Sequence, residues 1–524
     1  MSGVDERPVN CDFEDIVVEN QTDTNKNNQT QPPDKEEPRK KRRQIQENLG
    51  IITIISDGFG SGLKKKLVEK LKKRWFSVII DETTDVTVDS QLAVMVQYWD
   101  PAESEMIVDV LDFVKCTDAT ADGLSKAVIE RLDSLGIRSR FVGFCADTCN
   151  VMFGKNHSVS TCLSEEFPSI VVVKCSCHSC NLVANCAAKA FPEELETTMK
   201  AIFAHFSRSR NFKEFQEFAQ VEKHVILSPC QTRWLSFHNS VKRVLEQLQP
   251  LILYFTAEVA DDKSKSEIDI LTYLKHPQTE PFLNFLNYAL GCPTEFNTVF
   301  QSESPLLHEL EDRVGALIKD FASNFMLLDY TRATSTAKID PWLASKYQPL
   351  NKIYLGIIIK SFYIKAILQL QQRFDFSADF YSILQMLIPQ NVRDRNPQTL
   401  AAVFSRFPAL QNSCDSSKAE IEWRSLSVML LKELGLQTED DLKILSAEAF
   451  WLLVFNLKCS TGCRFPNLSV VVSYLFSLPY SNAIAERLFS FLKLTKTDNR
   501  GALKEDTILG LMRMKYFMKN TDTK

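Results

Sequence analysis

The chain has 524 residues, of which 44% are hydrophobic and 24% charged, and its net charge is −5. That length corresponds to roughly 3.5 domains of typical size, read here as two or three large ones with ample apolar material for a core. Only 16 Gly against 35 Phe argue against a turn-dense all-β architecture, and the near-neutral charge confines any nucleic-acid surface to a local patch.

No apolar run reaches the ~18 residues that a bilayer span requires, and the start MSGVDERPVN does not read as a secretory signal. Neither a secreted protein nor a membrane partner is expected. The 14 Cys are too sparse for a disulfide scaffold and read as reduced thiols.

Residues 1–45 are rich in Asn, Gln, Thr, Asp, Glu and Pro, a composition too polar to offset ordering entropy. Within this expected disordered tail, Arg39, Lys40, Lys41, Arg42 and Arg43 form a run of five cations. It reads as a nuclear-import signal or phosphate-binding arm, or as a plain solvated run; the expected location is the nucleus. Residues 46–75 form a basic helical lead-in, with Leu63, Leu67, Leu71 and Trp75 at steps of four and seven cations between them. Those cations could meet DNA phosphates or simply keep an outer face soluble.

Three apolar or alternating runs follow, at Phe76–Ile80, Gln91–Trp99 and Met106–Val114, and predict a strand meander. A helix over Ala119–Leu135, a strand Phe141–Cys145, a helix near Val151–Glu166 and a strand Ile170–Val173 then predict an α/β, mixed-sheet layout for 76–190. The stretch 191–470 reads as mostly helical, with Leu306, Leu307, Leu310, Val314 and Leu317 at the helical period. The end, 471–524, is again helical.

Asp81 directly follows the first predicted strand and Asp147 the fourth, and strand C-termini in open α/β sheets are where ligands gather. Carboxylates suit hard divalent cations, although acids after strands are often only polar loop starts. Glu486 stands on a late helix. The cluster Cys175, Cys177, His178 and Cys180 invites a zinc reading, but structural zinc is commonly held by two spaced ligand pairs and no second CxxC exists. A buried-core role is the alternative.

Five blocks in order resemble hAT-family (hobo, Ac, Tam3) transposases: FSVIIDETTDVTVDSQLAVMVQYWD, GFCADTCNVMFGK, KCSCHSCNL, QTRWLSFHNSVKRVL and LPYSNAIAERLFSFLKLTKTDNRGALKEDTILGLMRMK. The resemblance runs from about Trp75 to Lys515. It implies an RNase H-like mixed-sheet core interrupted by a large all-α insertion and closed by a helical dimerisation segment. It also implies that Asp81, Asp147 and Glu486 hold two Mg²⁺ (or Mn²⁺) ions ~3.5–4 Å apart, for phosphodiester cleavage and strand transfer with a flanking hairpin. His178 would lie beside that site and, like Arg233 and Trp234, contact DNA. In this reading Arg233 meets phosphate and the Trp234 ring stacks on a flipped base; the alternative is that Trp234 only anchors the next helix. Self-association through the C-terminal region follows from the same resemblance.

The match has departures. Thr148 and Cys149 stand where the family more often has Gly and Ala, and Cys180 where Leu is usual. Only Cys11 precedes Asp81, and the first histidine is His157, so a BED-type zinc finger is not expected within this sequence. Two functions remain open: a DNA-processing enzyme of the DDE class, or a transposase-derived, non-catalytic nuclear protein that acts by binding DNA or proteins and by dimerising.

Overall fold

The computed structural model describes residues 58–522 except 85–89, 117, 208–210, 212–213, 216–233, 262–263, 344–353, 461, 486 and 490–504. The tail 1–45 with its basic run therefore lies outside the described residues.

Helix α1 (Ser61–Leu71) leads into β1 (Phe76–Thr84), β2 (Ser90–Asp100) and β3 (Glu105–Lys115); α2 (Ala121–Leu135), β4 (Phe141–Ala146), α3 (Val159–Glu166) and β5 (Val171–Lys174) follow. The five strands form one sheet in the order β3-β2-β1-β4-β5. β1, β2 and β3 are antiparallel neighbours, while β4 pairs parallel with both β1 and β5. The protein is thus mixed α/β.

Period-two alternation divides the strand residues between two faces. Val78, Ile80, Val94, Val96 and Phe144 share one core with Leu67 and Leu71 of α1, Leu124 and Val128 of α2, and Leu163 of α3. Ile79, Ala93, Met95, Cys145 and Val173 belong to a second, much larger core that continues into the helices beyond β5. Both faces are covered, which explains why the central strands are apolar on both sides.

From Ser176 onward the regular structure among the described residues is helical but for a small hairpin pairing Lys458–Cys459 with Gly462–Cys463. The helices that matter below are α4 (Ser176–Ala188), α5 (Trp234–Glu246), α6 (Gly291–Phe300), α7 (Leu310–Ser323), α8 (Pro466–Phe476) and α9 (Glu505–Asp522). The 3.6 period over Leu310, Val314 and Leu317 is realised in α7, all three being buried.

Several sequence expectations need correcting. β1 runs on to Thr84, so Asp81 lies within the strand rather than after it: pairing with β2 carries the polar tail Asp81–Thr84 in the ladder. The helix expected over Val151–Glu166 is broken at Gly154 into a single turn, Asn150–Phe153, and α3. Ser158 restarts the chain with a reciprocal capping box to Thr161. The leucine stripe of α1 also ends early. Leu67 and Leu71 face the smaller core, whereas Trp75, past the helix end, joins the larger one.

The cations of α1 are partly committed within the fold. Lys64 and Arg131 meet the buried Asp112 at 3.1 and 2.7 Å, and Lys70 and Arg74 meet the buried Asp100 at 2.8 and 3.6 Å. A carboxylate this enclosed is tolerated only with partners, so these four side chains fasten α1 and α2 to the sheet.

His308, ahead of α7, is buried and its Nδ1 has no hydrogen-bond partner. Burial pushes its imidazole down to about 4, with the Glu309 carboxylate opposing the shift. The unfolded chain takes up this proton near pH 6.5 while the folded protein does not, so stability falls as pH drops from 6.5 towards 4. At ~1.36 kcal/mol per pKa unit, the loss is on the order of 3 kcal/mol. His308→Gln is expected to flatten that dependence, read as urea midpoints at pH 7 and pH 5.

Candidate active site

Parallel pairing of β1 with β4 sets Ile79 opposite Cys145. Two residues further along each chain stand Asp81 and Asp147. The two acids therefore occupy equivalent positions on adjacent strands, which lie about 4.8 Å apart. Asp81 pairs across β2 with Ala93, whose side chain belongs to the larger core, so Asp81 is on that face. Asp147 is the first residue past β4. Both carboxylates are partly exposed, and each accepts a local backbone N–H, Asp81 Oδ1 from Glu82 at 3.1 Å and Asp147 Oδ1 from Cys149 at 3.2 Å.

Cys145 forms the floor beneath them. Burial pushes its thiol well up, and the nearby Cys175, Asp147 and Asp81 push it further in the same direction. Burial also raises the Cys149 thiol to about 11, aided by its hydrogen bond with Asp147. Neither cysteine is a nucleophile at neutral pH, since reactivity belongs to the thiolate.

The wall of the site is built from sequence far away. After α8 the chain runs without regular structure from Ser477 to Asn482, fully buried. Ser77 Oγ donates to the Ser477 carbonyl at 2.6 Å, Gln97 Nε2 to the Leu478 carbonyl at 2.9 Å, and Ser477 Oγ accepts the Trp99 N–H at 3.1 Å. Ser176 N–H and Oγ both donate to the Tyr480 carbonyl. This strap crosses β1 beside Gly143, where an added Cβ would stand 2.5 Å from Ser77 Oγ and 2.6 Å from Pro479 Cδ.

Cys175 joins strap and sheet. Its N–H donates to the Ala146 carbonyl, and its Sγ accepts the N–H of His178 at 3.3 Å and of Asn482 at 3.4 Å. It thereby caps α4 in place of the usual Ser or Asp. Cys177 Sγ also accepts from Ser481 Oγ of the strap at 3.5 Å, and the thiols of Cys177 and Cys180 donate to the carbonyls of Asn297 and Pro293 on α6. Among the described residues the groups able to converge on a metal are Asp122, His157 and Cys162, and His205, Glu258 and Glu267. The cysteine cluster is in neither, and its members act as buried packing and capping groups.

His178 is half-buried on the first turn of α4, three residues past Cys175. Trp234 is the first residue of α5. That helix docks through the buried Phe237, Val241 and Val244, while His238 bonds Thr294 Oγ1 at 2.9 Å and the Asn287 carbonyl. The Trp234 side chain is not described, and Arg233 and Glu486 lie outside the described residues. The strap leads to Glu486 through Ala485, which is buried, and Arg487 beyond it binds Glu303 at 3.2 Å.

Comparison with known families accords with this assembly. Residues 18–157 match a family model described as ZMYM1/FAM200, RNase-like domain, and residues 435–518 match one described as the hAT family C-terminal dimerisation region. The chain is an hAT-family transposase-like protein. Asp81 and Asp147 of this hAT-family protein fall in the first match; the strap and Glu486 fall in the second. The strap's anchoring residues Ser77, Gln97 and Gly143 were not singled out in the sequence, because isolated small or polar residues in a strand carry no signal of what packs on them.

Of the apolar stripes in the hAT protein's C-terminal region, Leu488, Phe489, Ile508 and Met512 are all buried within the chain. Leu511 is only half-buried, and Leu492 lies outside the described residues.

Gly143→Ala is expected to force Pro479 off the sheet and to destabilise the protein by about 1–3 kcal/mol, the usual range for overpacking a tight site. Chemical denaturation checks this; an unchanged midpoint would show that the strap is not seated as described.

Proposed function

We propose that this hAT-family protein processes DNA by metal-dependent phosphodiester cleavage and strand transfer. In this reading an RNase H-like core is split by the helical region and completed by the C-terminal segment. The observation that carries the proposal is the shared register of Asp81 and Asp147 on neighbouring parallel strands, with the strap towards Glu486 bonded to the same sheet.

The donor set fits a hard divalent cation, Mg²⁺ or Mn²⁺: carboxylate oxygens, partly exposed, above a floor of neutral thiol. Two more oxygens nearby are buried without hydrogen-bond partners, Thr148 Oγ1 beside Asp147 and Asn482 Oδ1 on the strap, and such oxygens suit a cation or its ordered waters. Asp81, Asp147 and Glu486 would hold the cation, which when bound supplies Lewis acidity to an attacking water or DNA 3′-hydroxyl and to the leaving oxygen.

The chain's own part is orientation. The N–H groups of Glu82 and Cys149 aim the two carboxylates, and the covered sheet keeps them fixed. His178 would line the approach, Arg233 would hold phosphate, and Trp234 would stack on a base displaced during hairpin formation. The run Arg39–Arg43 would direct the protein to the nucleus.

Mg²⁺-dependent nicking of a DNA duplex is expected for the full chain, and Asp81→Asn is expected to abolish it while leaving the circular dichroism spectrum unchanged. A folded protein that never nicks would favour the non-catalytic reading, in which the same surfaces only bind.

The C-terminal dimerisation region supports self-association. Within it Ile444 is 85% exposed, and Val428 and Leu430 just before it are also exposed, so we place the contact there. Light scattering at micromolar concentration is expected to give twice the chain mass, and Ile444→Asp to raise the dissociation constant at least tenfold.

A further inference from the structure

At the opposite end of the sheet from the acids lies a cavity of about 410 Å³, within the size range of small-ligand sites. Trp75 and Asp81 are six residues apart along the β1 segment, so this cavity is about 20 Å from the acids at ~3.3 Å per residue. It is lined by the α1–β1 junction, the end of β2, the residue before β4 and the C-terminal half of the chain.

Its lining holds three cations, Lys73, Arg74 and Arg140, and no carboxylate. Arg74 is 3.6 Å from Asp100, but Lys70 is closer to that acid at 2.8 Å. Arg140 lies over the Trp75 ring, 4.4 Å from its centroid, and gives one N–H to Ser413 Oγ at 3.2 Å. A guanidinium has five N–H donors in a fork that fits phosphate, and its position over the ring fixes the plane of that fork.

Three hydroxyls of the wall do not compete as donors. Ser469, Ser473 and Ser477 each donate to a carbonyl one turn back along the chain, at 2.7, 2.7 and 2.8 Å. Donors to a ligand can come from the cations, from Asn412 and Ser413, and from the indoles of Trp75 and Trp99. Trp99 lines the cavity and is 1% exposed, and its indole Nε1 has no hydrogen-bond partner within the protein. An indole N–H can only donate, and a buried donor without an acceptor is unfavourable. Lys73 and Arg140, joined by an Arg74 shared with Asp100, and a buried unpartnered N–H all ask for the same thing, an anion with several acceptor oxygens.

We propose that this cavity binds the phosphate of a nucleotide-sized ester, with Lys73, Arg74 and Arg140 around the oxygens and Trp99 as the buried donor. The phosphate could be carried by a free mononucleotide or by the backbone of a DNA strand. The site is separate from the acids and does not depend on their catalysing any reaction.

The test is calorimetric titration of the full chain with adenosine monophosphate, with adenosine, with inorganic phosphate and with a single-stranded oligonucleotide. Saturable binding of the monophosphate but not of adenosine is expected. Lys73→Gln and Arg140→Gln should each weaken it at least tenfold, and Asp81→Asn should leave it unchanged. Binding of the oligonucleotide alone, weakened at least tenfold by Lys73→Gln, would assign the phosphate to a DNA strand. Lys73 is exposed on a turn, so its variant keeps the test valid if Arg140→Gln does not fold. Absence of saturable binding by any phosphate probe at millimolar concentration, or affinities untouched by Lys73→Gln, would overturn the proposal.

Discussion

The buried strap is the constraint on which the remaining architecture rests. Ser477 to Asn482 runs through the interior without helix or strand, and a buried carbonyl left unpaired costs about 1–3 kcal/mol. The protein meets this with side chains that would otherwise be odd in a sheet: Ser77 and Gln97, both buried, supply the donors. Ser77 and Ser477 are 400 residues apart in sequence. Because loop-closure entropy grows only with the logarithm of length, such a junction is far less costly than its span suggests. The sheet can therefore receive its wall from the far end of the chain, and the helical region between can be large without weakening the site.

The same economy governs charge. Asp100 and Asp112 sit in the covered sheet, and each draws two cations from α1, α2 and the turn after α1. What looked along the sequence like a uniformly basic helix is divided: Lys64 and Lys70 serve the fold, Lys73 at the following turn faces a cavity, and Arg74 does both. Lone surface pairs contribute little, but here the acids are enclosed, so removal of a cation leaves a buried charge rather than a lost contact.

Much of the fold was legible because it rests on local patterning. Alternation over Leu92, Val94 and Val96 identified β2, and helical spacing identified α7. The extent of β1 was not, since Asp81–Thr84 is polar and is held by its neighbour β2 rather than by its own composition. Nor was the α1 stripe read correctly to its end, because step-of-four spacing continues to Trp75 although the helix stops at Leu71. The acids were found individually, and family resemblance grouped them. Their common register could not be read, since it arises from pairing between strands some sixty residues apart. Cys175 shows the limit most clearly. Its neighbours suggested zinc, while its sulfur instead accepts two amide N–H groups, one of them on the strap, which no spacing rule encodes.

The C-terminal helix has one further effect. β3 is an outermost strand of the sheet and carries an irregularity where Leu111 has no partner in β2. Arg513 of α9 reaches in, buried, and donates to the carbonyls of Val110 and Leu111 at 3.3 and 2.7 Å. An uncovered outer strand of eleven residues is a template for pairing with another chain. By engaging those carbonyls, a guanidinium does what a sixth strand would do without offering a new edge of its own. Without that helix, β3 would present an open edge on which the β3 of a second molecule could pair.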